Sequence, residues 1–187
     1  MTGYDWTSFT RCQTCGKLDD LETSFYKYGA ADQDVPLPPE AAKLQALGDV
    51  RAGYEEEKHH LKRCPACGAL YRYDCYYDYY VNGSEDEEIL YRLTPTEARD
   101  RITADEYGRV MASLKDQASS DDRRIAGYAL RALLLEALIS GDTAAAGKIV
   151  EGFADRELVK RQLQVILNSR YDGTGRAAEK LLDTFFK

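Results

Sequence analysis

The sequence predicts an α+β protein. An antiparallel β half, residues 1–93, carries a helical insertion, and an all-α half, residues 94–187, follows with five to six short helices. Three observations lead there. Aromatic side chains crowd the first half, which holds 14 of the 20 Phe, Trp and Tyr, whereas Leu, Ile and Val dominate the second. Charge divides at the same place: residues 1–93 carry 10 Lys+Arg against 17 Asp+Glu, and residues 94–187 carry 15 of each. Strand-like alternation is concentrated before residue 94, and helix-start signals after it.

In the β half, "LETSFYKY" (21–28) and "LYRYDCYYDYYV" (70–81) alternate as strands do, and "ILYRL" (89–93) returns as a further strand. Between them, "DVPLPPEAAKLQALGDV" reads as a loop followed by a short helix. Pro36, Pro38 and Pro39 hold its entry extended. The insertion spans about residues 29–60.

The helical half carries its own punctuation. Thr94, Pro95 and Glu97 have the spacing of a capping box with proline at the first helical position, and Thr103 and Glu106 repeat it. Asp121 or Asp122 starts the next helix and Gly141 ends it. Within that helix "AGYALRALLLEALI" is apolar on nearly every side, so it is expected to be central. Asp142 caps "TAAAGKIVEGF". Val159, Leu163, Ile166 and Leu167 then line one face of a further helix, and a last one ends at Phe185 and Phe186. This half resembles HEAT-like paired-helix domains, although no fixed repeat period is visible, and a compact bundle fits the pattern equally.

Cysteine spacing is the strongest chemical signal. Cys12-Gln13-Thr14-Cys15-Gly16 and Cys64-Pro65-Ala66-Cys67-Gly68 are two copies of one turn. In C-x-x-C-G both thiolates face one point, and a glycine free to take positive φ lets the following amides aim at sulfur. Two such turns together offer four thiolates, the donor set of one structural Zn²⁺. Arg11, Lys17, Lys62 and Arg63 flank the turns and are expected to soften the resulting negative charge. A redox dithiol and an iron centre are the competing uses of the same cysteines. The knuckle pair is similar to that of the zinc-ribbon proteins, whose second knuckle often reads C-P-x-C-G. The resemblance covers the knuckles and the strand after each, and it implies a closed metal site that supports the fold. The 48 residues between Cys15 and Cys64 exceed the usual ribbon spacer.

Other candidates for chemistry are thin. Cys75 alternates with Tyr73 and Tyr77 on one strand face and reads as a small buried hydrophobe. Glu56 with His59, and Glu57 with His60, have the E-x-x-H spacing of helical di-iron sites, but those sites need a second such motif and the chain has two histidines in all. Phosphate-cradling glycine loops and nucleophile elbows are absent. The first fifteen residues lack the apolar run of a signal peptide and no apolar stretch is long enough to span a membrane, so a reducing, cytoplasmic setting is expected.

The purpose of the chain is read from "YRYDCYYDYYVNGSEDEE". Tyr71, Tyr73, Cys75, Tyr77 and Tyr79 form one uncharged strand face, expected to be buried. Arg72, Asp74, Tyr76, Asp78 and Tyr80 form the other, expected to meet solvent, with Glu85, Asp86, Glu87 and Glu88 in a loop beyond. Asp74, Tyr76, Asp78, Tyr80 and those four acids are the candidate surface for a basic protein partner, because tyrosine gives contact area at low entropic cost and acids steer a cation. The expected function is a non-enzymatic zinc-binding adaptor or inhibitor. One version neutralises a basic effector in the manner of immunity proteins. A nucleic-acid-binding zinc ribbon is the alternative, disfavoured because phosphate binding draws on clustered Lys and Arg that the first half lacks. An enzyme with an unrecognised site ranks third.

Overall fold

The computed structural model describes residues 5–28, 34–51, 57–80, 83–169 and 173–187. It is a mixed α+β structure that divides into two compact units, Met1–Leu93 and Thr94–Lys187.

The first unit is built on one five-stranded sheet. The strands are β1 (Leu21–Lys27), β2 (Gln45–Arg51), β3 (Glu57–Arg63), β4 (Leu70–Tyr80) and β5 (Gly83–Arg92). They are ordered β1-β5-β4-β3-β2, and every neighbouring pair is antiparallel. Tyr73 sits opposite Leu90 on one side and His60 on the other, which fixes the register through the middle of the sheet.

The segment between the cysteine pairs departs from expectation. It holds a 3₁₀ turn, Pro39–Lys43, and then the β2 and β3 strands, so the short helix expected within residues 34–50 is replaced by the 3₁₀ turn and β2. Ala41, Ala42 and Leu44 favour a helix locally, but pairing with β3 overrides that weak preference. The pairing is irregular, with register shifts between Ala46 and Gly48 and between Asp49 and Arg51. This strand assignment also removes the helical E-x-x-H reading for Glu57 and His60, since a spacing of three on a strand separates faces. Glu56 lies outside the described residues.

The alternation expected along β4 holds in part. Tyr71 and Cys75 are buried, while Tyr73 and Tyr77 are only half-buried. Asp74, expected on a solvent face, is 1% exposed. Its neighbour in β5, Ile89, is buried together with Leu90 and Tyr91, so both faces of the sheet are covered near the cysteine end. Arg72 Nε meets Asp74 at 2.8 Å, so the buried carboxylate carries its counter-charge on its own face. The acids expected in a loop belong to β5, where they alternate between faces.

In the second unit α1 (Ala104–Gln117), α2 (Arg123–Ile139), α3 (Thr143–Gly152), α4 (Arg156–Asn168) and α5 (Gly175–Phe185) are the described α-helices. Side-chain caps start four of them. Thr103 accepts from Glu106 N, Asp122 from Arg124 N and Ile125 N, Asp142 from Ala145 N, and Asp155 from Leu158 N. Gly141, with φ 77°, follows the end of α2. The box at Thr94 forms only its reciprocal half: Glu97 Oε2 accepts from Thr94 N and Oγ1, and the chain continues as turns and a 3₁₀ turn, Arg99–Arg101. The mostly buried α2 packs against α1, α3 and α4, and α5 against α4 and α3. Leu130, Leu134, Val159, Leu163 and Ile166 form the centre of that core.

Candidate metal centre

The first knuckle follows a 3₁₀ turn, Ser8–Arg11, and the second joins β3 to β4. Within each, the glycine amide returns to the carbonyl of the leading cysteine, Gly16 N to Cys12 O at 2.8 Å and Gly68 N to Cys64 O at 2.9 Å. The two glycines serve this turn differently. Gly68 has φ 80°, a conformation that L side chains rarely adopt. Gly16 is needed for space, since a Cβ there lies 2.2 Å from the backbone oxygen of Cys12. Gly16→Ala is therefore expected to open the first turn and weaken metal binding about 10-fold or more, as losses of supporting geometry commonly do. Competition with a chelator measures it, and an unchanged affinity means that the turn relaxes without moving its thiolates.

The four predicted cysteines converge. All four Sγ atoms lie within 4.8 Å of one another. Cys12 and Cys64 are 3.7 Å apart, and Cys15 and Cys67 are 3.5 Å apart. A tetrahedral ion with metal–sulfur bonds of about 2.3 Å sets its sulfurs about 3.8 Å apart, so the cluster fits one metal ion. Cys15 and Cys64 are buried, and Cys12 and Cys67 are half-buried. Ala66 N–H and Cys67 N–H point at Cys64 sulfur and Ala69 N–H at Cys67 sulfur, as the turn geometry requires. The bond from the Cys15 thiol pulls Cys67 down to about 5, and the same bond with burial pushes Cys15 up.

Three of the four flanking cations have partners of their own. Arg11 pairs with Asp5 at 3.1 Å, Lys17 meets Glu40 at 3.8 Å, and Lys62 Nζ lies 4.0 Å over the Tyr73 ring. Arg63 is exposed. The charged group set into the knuckle packing is Arg92, at the end of β5 and far from either knuckle in sequence. It is 1% exposed and is held on every side. Nη1 donates to Asp20 at 2.6 Å, Nη2 to the Leu18 carbonyl at 2.6 Å and Nε to Tyr71 Oη at 3.1 Å, while the Phe9 ring lies 4.0 Å from its guanidinium carbon. Sequence reasoning missed it because nothing near "ILYRL" announces a link to the cysteines. The one available signal was an arginine in an otherwise apolar strand end.

Cys75 does not join the metal cluster. It is 4% exposed and shares a strand face with Tyr73 and Tyr77. Beside it, Glu88 accepts from Ser24 Oγ at 2.6 Å and from Tyr73 Oη. Burial first, and then this carboxylate, push the Tyr73 phenol up. His60 stacks on the same ring with centroids 6.0 Å apart.

The candidate partner residues are dispersed. Tyr76 and Glu87 face each other across β4 and β5 and share one side of the sheet, both half-buried. Asp86 stands opposite Tyr77 on the other side. Glu85 pairs with Lys27 at 3.0 Å, Glu88 is engaged with Ser24 and Tyr73, and Asp74 is buried. The side chains of Asp78 and Tyr80 lie outside the described part of the structure.

No family of known proteins, no curated protein and no solved structure matches this chain. Among the described residues no helix is long and apolar enough to cross a membrane.

Proposed function

We propose that this is a non-enzymatic zinc-binding protein whose metal holds the β-sheet unit together and whose β4–β5 hairpin meets a basic protein partner. The convergence of Cys12, Cys15, Cys64 and Cys67 carries the metal half of the reading. Four thiolates suit Zn²⁺, and they leave no open position for water or substrate, so the ion serves structure rather than catalysis. Elemental analysis tests this directly. One zinc per chain is expected in the wild type, retained by Cys75→Ser and lost from Cys64→Ser. A metal-free folded wild type, or loss of metal from Cys75→Ser, ends the assignment.

The partner half rests on Tyr76 and Glu87, half-exposed and opposite each other on one side of the hairpin, with the half-exposed acid Asp86 next to them on the other side. Replacing Asp86 by Asn and Glu87 by Gln is expected to slow association with a basic partner several-fold and to flatten its salt dependence, while melting stays nearly unchanged. Stopped-flow binding at two salt concentrations reads both quantities, and an association rate untouched by the double change removes the hairpin from the binding surface.

A further inference from the structure

We propose that Arg92 is the positioning residue of the first knuckle: from the end of β5 it keeps Cys12 and Cys15 in place to bind the metal. The proposal rests on the metal reading of the cysteine cluster and adds to it a residue that lies outside both knuckles.

The two knuckles are anchored unequally. Cys64 and Cys67 lie in the connection of a hairpin. There β3 ends at Arg63, β4 starts at Leu70, and these two residues face each other in the ladder. Cys64 N donates to Ala69 O at 2.8 Å within the same connection. Both ends of this knuckle are therefore fixed by the sheet. The first knuckle, residues 12–16, meets the sheet only downstream, where β1 starts at Leu21. Upstream lies the 3₁₀ turn Ser8–Arg11, and among the described residues no strand precedes it. A segment tied at one end opens locally at lower cost than one tied at both.

Arg92 supplies the missing tie. Its guanidinium carbon lies 4.0 Å from the centroid of the Phe9 ring, and Phe9 O accepts from Cys12 N at 3.1 Å. On the other side of the knuckle Nη2 donates to Leu18 O at 2.6 Å, and Leu18 N donates to Cys15 O at 3.1 Å. One side chain thus grips the chain just before the knuckle and just after it. Arg92 is itself fixed from outside. Nη1 donates to Asp20 at 2.6 Å, the Arg92 backbone N to Asp20 O at 2.9 Å, and Nε to Tyr71 Oη at 3.1 Å. Tyr71 faces Arg92 across β4 and β5, and Leu93 N donates to Leu70 O at 2.9 Å. The end of β5 is therefore pinned to the strand that leaves the second knuckle. Arg92 and Phe9 are 1% exposed and Leu18 and Tyr71 are 0% exposed, so these bonds form where water competes little. Lysine cannot take the place, because it has no planar fork to reach three acceptors in fixed directions.

The test is limited alkylation of the zinc-loaded full chain with sub-stoichiometric N-ethylmaleimide, the modified cysteine being located by mass spectrometry. Each knuckle has one buried and one half-buried cysteine, so the two start from similar exposure. In Arg92→Lys the ratio of first hits on Cys12 and Cys15 to those on Cys64 and Cys67 is expected to rise about 10-fold, the lower end of what losing a group behind metal ligands costs in binding. Phe9→Leu removes the ring but keeps an apolar side chain, and it is expected to move the ratio the same way by less. Leu90→Ala is the control. That buried side chain lies on the same strand, and its loss weakens the sheet as a whole, so all four cysteines should react faster together and the ratio should stay at its wild-type value. A wild-type ratio in folded Arg92→Lys overturns the proposal, since Arg92 then serves general stability as Leu90 does. If Arg92→Lys does not fold, a wild-type ratio in Phe9→Leu overturns it. A wild-type chain that holds no zinc rejects the metal reading instead, so the two failures are distinct.

Discussion

Removing the metal with a chelator is expected to unfold the β-sheet unit and leave the helical unit folded. Apparent binding energies of structural zinc run to about 10–16 kcal/mol, as large as the whole stability of an ordinary domain at about 5–15 kcal/mol. Among the described residues the buried aliphatic side chains of the sheet unit are few, Leu18, Leu44, Leu61, Ile89, Leu90 and Leu93 chief among them. The cluster also closes a loop of 48 residues between Cys15 and Cys64, joining the segment that leads into β1 to the connection between β3 and β4. Once the ion is gone, the coordinate bonds that join the two knuckles are lost. The helical unit has side-chain caps on four helices and its own leucine-rich core. Hydrogen exchange with and without chelator checks this. Amides in β3, β4 and β5 should lose protection while those in α2 and α4 keep theirs. Equal loss in both units rejects the separation.

The converse experiment is Leu134→Ala, expected to destabilise the helical unit by about 2–5 kcal/mol with the metal content unchanged. Leu134 has no exposure and sits in α2 at the centre of the helical core. Its loss removes contacts to a layer whose backbone cannot close the gap. For a unit of this size the melting temperature should fall by roughly 10 °C or more. Ile139→Ala is the matched control, since that side chain at the end of the same helix is 47% exposed and should cost less than about 0.5 kcal/mol. Differential scanning calorimetry with parallel metal analysis compares them. Equal melting of the two variants means that α2 is not the centre of the unit, and loss of metal from Leu134→Ala means that the two units fold as one.

Much of the local structure is visible along the chain, because it is written in short-range chemistry. The C-x-x-C-G turns need only five consecutive residues to bring two thiolates to one side, and the structure brings both pairs together. Thr103, Asp122 and Asp142 cap helices because a short polar side chain reaches an amide two or three residues ahead. The apolar stretch 126–139 lies in the largely buried α2 for the reason its composition suggests. The mixed α+β class follows from these pieces.

Contacts between distant residues were beyond such reading. "EAAKLQALGDV" has the composition of a helix, yet it supplies a strand, because pairing with β3 outweighs a preference worth tenths of a kcal/mol per residue. Asp74 alternates into what looks like a solvent face, and it is buried because the sheet is covered on both sides near the cysteines and Arg72 supplies the charge that permits it. The acids after Asn82 look like a loop, and β5 divides them between faces, giving Glu88 to Ser24 and Tyr73. Arg92 stands 25 residues beyond Cys67, and only the sheet order β1-β5-β4 brings its guanidinium to Leu18, Asp20 and Tyr71 at once. Ligand identity is thus a local property, carried by spacing. The surroundings that hold the ligands are non-local, because a buried charge is tolerated only where strands far apart in sequence deliver all its partners to one place.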